Sequence, residues 1–437
     1  MAQEKSAILD RLSGYFVGPT SLVSDLLDVT PAPGAPRIFN CTCTISSLKK
    51  IIGAEIPGSA GAAGLTLQDA RISGIGEAVE RYAAAIIPWD ELVYSAEANL
   101  EGPAMGIDKF HLYAEDVYAQ PHFPVAPYSK DVPIYWTGCR SLISGATYAI
   151  PAAHVYIPYL YSDASKKSEF VSMSTSTGQA CHGDIDLARL SGLYECIERD
   201  AFMITWMRKL AVRRLDIVSQ PSLATLYKKY YAGCNVDFQL FDLTLDVAVH
   251  TVLCVGVANG PRGKFAVIGC ATRLSMLEAC EKALLEGGQC MAWARYMHED
   301  TEEWNPGEGY KNVQTFEDHV KLYCDPDMLQ HLDFILSTTN VVAIDDNVAY
   351  PSTAARIERV LECLKENGLD ALEVDLTTPE LADAGVHAVK MFVPGMVPLT
   401  AMHEFPALAS PRYFSVPEKL GIACGLPGFN PIPHPFP

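Results

Sequence analysis

Basic charge is scarce in this chain: 33 Lys and Arg residues face 52 Asp and Glu, for a net charge of −19. A nucleic-acid binder normally carries a basic footprint, so that class is set aside. An enzyme, or a protein with a basic partner, is compatible with the charge. The 13 cysteines include no C-x-x-C pair. This removes a zinc tetrad and a disulfide framework, and leaves small buried hydrophobes in a reducing compartment. No uninterrupted apolar run is long enough to span a bilayer. The start, M-A-Q-E-K-S-A-I-L-D-R, puts charges where a signal peptide needs an apolar core. The expected location is therefore cytoplasmic, without membrane or nucleic acid as partner. A Walker loop is missing too. Gly260 to Lys264 reads G-P-R-G-K, but Ala258 stands where the first glycine belongs. The segment reads instead as a hairpin turn between strands 249–258 and 265–272.

What the chain does have is a repeat. Ser73 to Arg81 reads S-G-I-G-E-A-V-E-R, and Ser191 to Arg199 reads S-G-L-Y-E-C-I-E-R. Ser, Gly, Glu, Glu and Arg recur at the same five offsets. A weaker third copy, K-A-L-L-E-G-G-Q, runs from Lys282 to Gln289, with Glu286 and Gln289 at the two Glu positions. On a helix, Ser73, Glu77 and Glu80 fall within about 60° of one another. The second copy is apolar nearly all round, with Leu193, Tyr194, Ile197, Phe202 and Trp206 about Glu195, Glu198 and Arg199. Such a helix is usually buried. Buried carboxylates are costly unless paired or bound to metal. One copy alone could be a solvated Glu/Arg face, but a pattern repeated inside an apolar helix points to a site. Carboxylates suit a hard cation such as Mg²⁺, and the neighbouring arginines suit phosphate oxygens. Mg²⁺ with a nucleotide is the economical reading.

The 437 residues, 49% of them hydrophobic, are enough for one large domain or two to three smaller ones. A small-residue stretch, Gly58 to Gly64, reads as a loop that lets backbone approach a ligand. Thr66 and Asp69 resemble a capping box opening the first repeat helix, and Pro88 closes it. Ser174 to Gly183, S-T-S-T-G-Q-A-C-H-G, leads into the second repeat helix and suits a phosphate cradle; His182 is a candidate there. Later segments alternate helix and strand, predicting a mixed α/β (α+β) fold without a simple doubly wound order. The stretch Asn430 to Pro437 carries prolines at 431, 433, 435 and 437. It predicts a stiff, extended tail suited to reaching into a cleft.

Four features in this order resemble the YcaO family, specifically the D component of azoline-forming (thiazole/oxazole-modified microcin) cyclodehydratases. They are S-G-I-G-E-A-V-E-R, S-T-G-Q-A-C-H with E-C-I-E-R-D-A, A-L-L-E-G-G-Q, and the ending P-I-P-H-P-F-P. The resemblance runs from about Gly61 to Pro437. It implies an N-terminal segment (1–60) packed on a catalytic domain (61–410), and a C-terminal segment (411–437) bearing the proline tail. It implies three Glu-bearing helices around a non-Walker cleft for ATP and Mg²⁺. Carried over by motif, Glu77, Glu80, Glu195 and Glu198 would hold Mg²⁺. Ser73, Arg81, Arg199, Lys282, Glu286 and Gln289 would serve the nucleotide. Pro433, Pro435 and Pro437, with His182, would shape the reacting site. On this resemblance, removing Pro433 to Pro437 should abolish heterocycle formation and spare nucleotide binding.

The implied reaction is ATP-dependent cyclodehydration of Cys, Ser or Thr in a ribosomal precursor peptide. Implied partners are that peptide, a cyclase carrying a leader-binding module, and a flavin-dependent azoline dehydrogenase. The assembly expected is a homodimer or part of a larger complex. Three departures stand out: Ala62-Ala63-Gly64 where many members have Gly-Lys-Gly, Leu187 before Ala188 where Glu is common, and Ser174 to Thr177 in place of an Asn. Rival readings are a thioamide- or macroamidine-forming member and a non-catalytic scaffold. A di-iron carboxylate protein would need Glu-x-x-His, which the repeats lack.

Overall fold

Antiparallel pairing dominates the frame. The computed structural model describes residues 2–53, 55–159, 168–300, 304–345 and 348–437. Strands Val23–Val29, Phe39–Ile45 and Ser59–Gly64 form an N-terminal sheet. A central sheet runs in the order Gly263–Arg273, His250–Gly260, Val236–Asp242, Arg213–Asp216, Val341–Ala343. Among the described residues, its last pair makes the one parallel ladder between named strands. The third sheet runs Val93–Ser95, Ile134–Ser141, Leu372–Asp375, His387–Phe392, Gln179–His182, with Thr147–Pro151 also paired to Ile134–Ser141. The architecture is mixed α/β, as the alternation of elements predicts. The G-P-R-G-K segment does turn a hairpin, with Gly260 opposite Gly263.

Three long helices lie between the sheets. The first Glu helix, Leu67–Ala85, is capped by Thr66, whose Oγ1 accepts the Asp69 amide, and it stops three residues before Pro88. The second, Ile185–Arg208, is capped by Asp184; the third, Met276–Glu299, by Ser275. Each caps an otherwise orphaned amide of the first turn. Apolar residues fix where each helix sits. Ala78 of the first packs with Cys43 and Ala60 of the N-terminal sheet, while Ile75 and Val79 pack with Trp136 and Leu372 of the third sheet. Leu193 and Ile197 of the second lie against Val389 and Met391, and Phe202 and Trp206 lie among Leu253 and Ile268. The second helix is thus held between the central and third sheets.

The glycines of the repeat set how closely helix and strand approach. A Cβ on Gly74 would come 2.6 Å from Cys41 Sγ, and one on Gly192 would come 2.5 Å from the Gly178 carbonyl. In the third helix, Gly287 packs backbone to backbone against Gly269, where a Cβ on Gly269 would lie 2.2 Å from the Gly287 amide. Side chains of ordinary size would push all three helices off their sheets.

The stretch read as a loop, Gly58 to Gly64, is mostly strand. Ser59–Gly64 pairs with Phe39–Ile45 in register from Phe39 opposite Gly64 to Thr44 opposite Ser59. Its residues are small because it is squeezed between that strand and the first Glu helix; a Cβ on Gly64 would sit 2.5 Å from the Ala70 amide. Residue 60 lies inside this strand.

The C-terminal segment is tied down in two places. Arg412, at the start of helix Arg412–Leu420, pairs with Asp200 (2.6 Å) and Asp246 (2.7 Å), and all three side chains are at most 10% exposed. Asp200 also accepts the Val397 amide. The proline tail lies against the second Glu helix. Trp206 donates its ring N–H to the Ile432 carbonyl, Tyr323 donates its hydroxyl to Pro433, and the His319 ring stacks on His434 at 3.8 Å. Removing Arg412 would strand two buried carboxylates. We expect Arg412→Met to lower unfolding free energy by about 3–5 kcal/mol, read as a shift in the urea midpoint. A loss below about 1 kcal/mol would reduce the triad to an ordinary surface pair.

Candidate nucleotide and metal site

The sequence repeat is also a repeat of contacts. In the first helix, Glu77 Oε2 accepts the Gly61 amide (3.1 Å) while its Oε1 receives Arg81 (2.5 Å). In the second, Glu195 Oε2 accepts the Gly178 amide (3.1 Å) while its Oε1 receives Arg199 (3.1 Å). Each leading Glu therefore fastens the strand or turn that precedes its helix, and each Arg sits one turn further on. Arg81 also donates to the Ser59 carbonyl, and Gln289 of the third helix donates to the Gly61 carbonyl (2.8 Å). Gly61 is thereby gripped on both sides, by the first helix and by the third. Lys282 and Glu286 pair with each other at 3.2 Å.

The second Glu of each copy behaves differently. Glu80 forms no side-chain hydrogen bond among the described residues. Burial, then the charges of Glu195 and Glu77, push its carboxyl well above the ordinary range. Glu198 is 6% exposed and accepts the Thr272 amide at 3.1 Å. Burial, against the pull of Arg199 and with the push of Glu286 and Glu195, takes it to about 8. Glu195 is also raised, chiefly by burial. These couplings bring together Glu77, Glu80, Glu195, Glu198 and Glu286 from three helices. Buried opposition would lower Arg199, but Glu198, Glu195 and Glu286 outweigh it and hold its charge more firmly. Its Nη1 lies 3.2 Å from Glu198 Oε1 without the angle of a hydrogen bond, so that buried nitrogen has no acceptor.

The donor set fits a divalent cation with a phosphate-bearing ligand. Carboxyls that burial and one another's charge keep protonated would ionise against a hard cation, and Arg199 Nη1, which no acceptor meets at a hydrogen-bond angle, suits a phosphate oxygen. Among the described residues, no group of three or more His, Cys, Asp or Glu side chains is placed to hold a metal ion, so a ligand's phosphate oxygens would have to complete the coordination.

Other candidates lie further out. Ser73 is exposed on the first helix. Strand alternation turns Cys181 inward, onto the Gly76 carbonyl, and leaves His182 exposed, its Nδ1 accepting the Asp184 amide. His182 is thus not among the carboxylates. The tail does reach them: Phe436 lies under the Arg199 guanidinium at 4.1 Å.

Two residues that sequence reasoning passed over line the neighbouring pocket. Lys390 is 1% exposed, and its ammonium donates to the Val155 carbonyl, Ser174 Oγ and the Thr175 carbonyl. Burial brings it down to about 7, against the opposing pull of Cys196, Glu195 and Glu80. It ties the Ser/Thr-rich turn to strand His387–Phe392. His154 stacks on Phe392, bonds Ser172 Oγ through Nδ1, and is lowered to about 3 by burial and by Lys390. The available signal was the lone cation within H-A-V-K-M-F-V.

The sign of the pH effect follows from Glu198. Its folded value, about 8, exceeds its ordinary 4.5, so the folded chain keeps a proton that the unfolded chain has released. That stabilisation is complete below about 4.5 and lost as pH rises through about 8. In metal-free protein the thermal midpoint should fall between pH 6 and 8.5, and Mg²⁺ added at pH 8 should recover it. A midpoint that is flat over this range, or that Mg²⁺ leaves unmoved, would contradict the assignment.

Known proteins share the fold. A heterocyclase solved in complex with substrate and cofactor superposes with a TM-score of 0.77 at 21% identity, over 98% of this chain and 57% of that one. The chain therefore spans little more than half the length of that relative. YcaO from Methanopyrus kandleri, bound with AMPPCP and Mg²⁺, gives a TM-score of 0.62 at 20% identity, covering 91% of both chains. An uncharacterised protein of Methanothermobacter thermautotrophicus is 27% identical over 344 residues, 76% of this chain and 80% of its own. The family model described as YcaO cyclodehydratase, ATP- and Mg²⁺-binding, matches residues 61–397, which contain all three Glu helices, and the chain belongs to that family.

Proposed function

We propose that this chain is an azoline-forming cyclodehydratase that spends ATP on backbone amides of a ribosomal precursor peptide. A Cys, Ser or Thr side chain adds to the preceding amide carbonyl. That addition closes the five-membered ring; the oxyanion accepts the γ-phosphoryl group of ATP and ADP is released; phosphate then leaves with loss of the N–H proton, forming the C=N bond of the thiazoline or (methyl)oxazoline. The observation that carries this reading is the gathering of carboxyl groups from three helices, with Arg199 paired to two of them and a docked proline tail at the edge.

Each group then has a task. Glu80 and Glu198, with Glu77 and Glu195, would hold Mg²⁺, whose charge would offset that of the phosphates. Arg199 and Arg81 face the phosphates, supported by Lys282, Glu286 and Gln289 on the third helix. Catalysis is chiefly positioning and charge stabilisation. The tail, Pro433 to Pro437, borders the place where the amide reacts. A partner cyclase would bring the peptide's leader.

Glu80→Gln and Glu198→Gln keep shape and remove the charge a cation needs. With partner and peptide present, each should cut ATP hydrolysis by roughly a hundredfold or more, with circular dichroism unchanged. Hydrolysis at the parent rate in either variant would exclude that residue as an essential ligand.

A further inference from the structure

The proline tail is held at many points, and one of its side chains, Phe436, packs directly on the charged cluster. Phe436 is 3% exposed and packs edge-on to Phe202 at 4.8 Å, while its backbone amide donates to His434 Nδ1. Its ring face lies 4.1 Å from the carbon at the centre of the Arg199 guanidinium. Arg199 has its Nη2 bonded to Glu195, while its Nη1 lies 3.2 Å from Glu198 Oε1 off the angle of a hydrogen bond. One hydrogen bond and one poorly angled ion pair leave the guanidinium plane free to tilt. A ring below it confines the plane and so fixes where Nη1 points.

We propose that Phe436 is a positioning residue for nucleotide binding: its ring holds the Arg199 plane so that Nη1 meets a phosphate oxygen. This rests on the reading of Arg199 as a phosphate contact given above. It also changes what the tail does. The family resemblance assigns the tail to the peptide side of the reaction and spares nucleotide binding; the Phe436 contact joins the tail to the nucleotide side as well.

Calorimetry with Mg²⁺ and AMPPCP tests this on the full chain. Phe436→Leu keeps apolar volume and removes the π face. It should weaken AMPPCP binding roughly three- to thirtyfold, the range of a partly desolvated cation–π contact. Binding of adenosine, which has no phosphate, should not change. In an Arg199→Ala background the same substitution should cost nothing further, because the group it positions is gone. Equal losses in both backgrounds, or a Phe436→Leu affinity within twofold of the parent, would overturn the proposal. If Phe436→Leu unfolds, Phe436→Met is read by the same two comparisons. A parent protein that fails to bind Mg²⁺ and AMPPCP would instead sink the nucleotide reading itself.

Discussion

A crowd of carboxyl groups, Glu198 buried and Glu77 and Glu286 partly exposed, is what the rest of this site answers to. Five glutamates from three helices act on one another, and Arg81, Arg199 and Lys282 offset them only in part. Every nearby device manages that charge. Gly61 and Gly178 amides take up one oxygen of Glu77 and Glu195. The Thr272 amide takes up one of Glu198. The deeply buried Lys390 stands close enough to feel Glu195 and Glu80. On the proposed reading, what is left uncompensated would favour a cation. Strain of this kind is tolerated at functional sites because the surrounding packing over-determines it.

That packing comes from residues with no charge at all. Gly74, Gly192 and Gly287 allow each helix to lie on its sheet at backbone distance. In the first two copies a glycine brings the helix close and, one turn on, a glutamate accepts an amide of the segment before the helix: Gly74 meets Cys41 and Glu77 holds Gly61, while Gly192 meets Gly178 and Glu195 holds it. The two Glu positions divide the work. The first is engaged with backbone and arginine, and the second carries the greater electrostatic load.

Much of this was legible in the chain. The repeat at Ser73 and Ser191 places two helices and their carboxylates without any structure, because a 3.6-residue period turns spacing into geometry. The third copy was visible through E-G-G-Q, although its Gln289 proved to bond the Gly61 carbonyl. The strand at Ser59–Gly64 was not legible. Glycine and alanine there signal a flexible loop by local propensity, and only pairing with Phe39–Ile45 overrides it. Lys390 was hidden for the opposite reason: its three acceptors come from residues 155, 174 and 175, far away in sequence. Phe436 sits between two prolines that drew attention to the tail's stiffness and away from the ring.

The docked tail also bears on the order in which the molecule can be assembled. Asn430 bonds the Trp206 carbonyl across a separation of 224 residues. During synthesis the second Glu helix, with Phe202 and Trp206 on it, must therefore wait for the covering segment to be made. Contacts this distant in sequence form slowly, and an apolar helix face left open meanwhile invites association with other chains. Crowded ribosomes would be the setting in which this protein is most exposed to misassembly, and a chaperone that shields the Phe202–Trp206 face would serve it until residues 430–436 arrive.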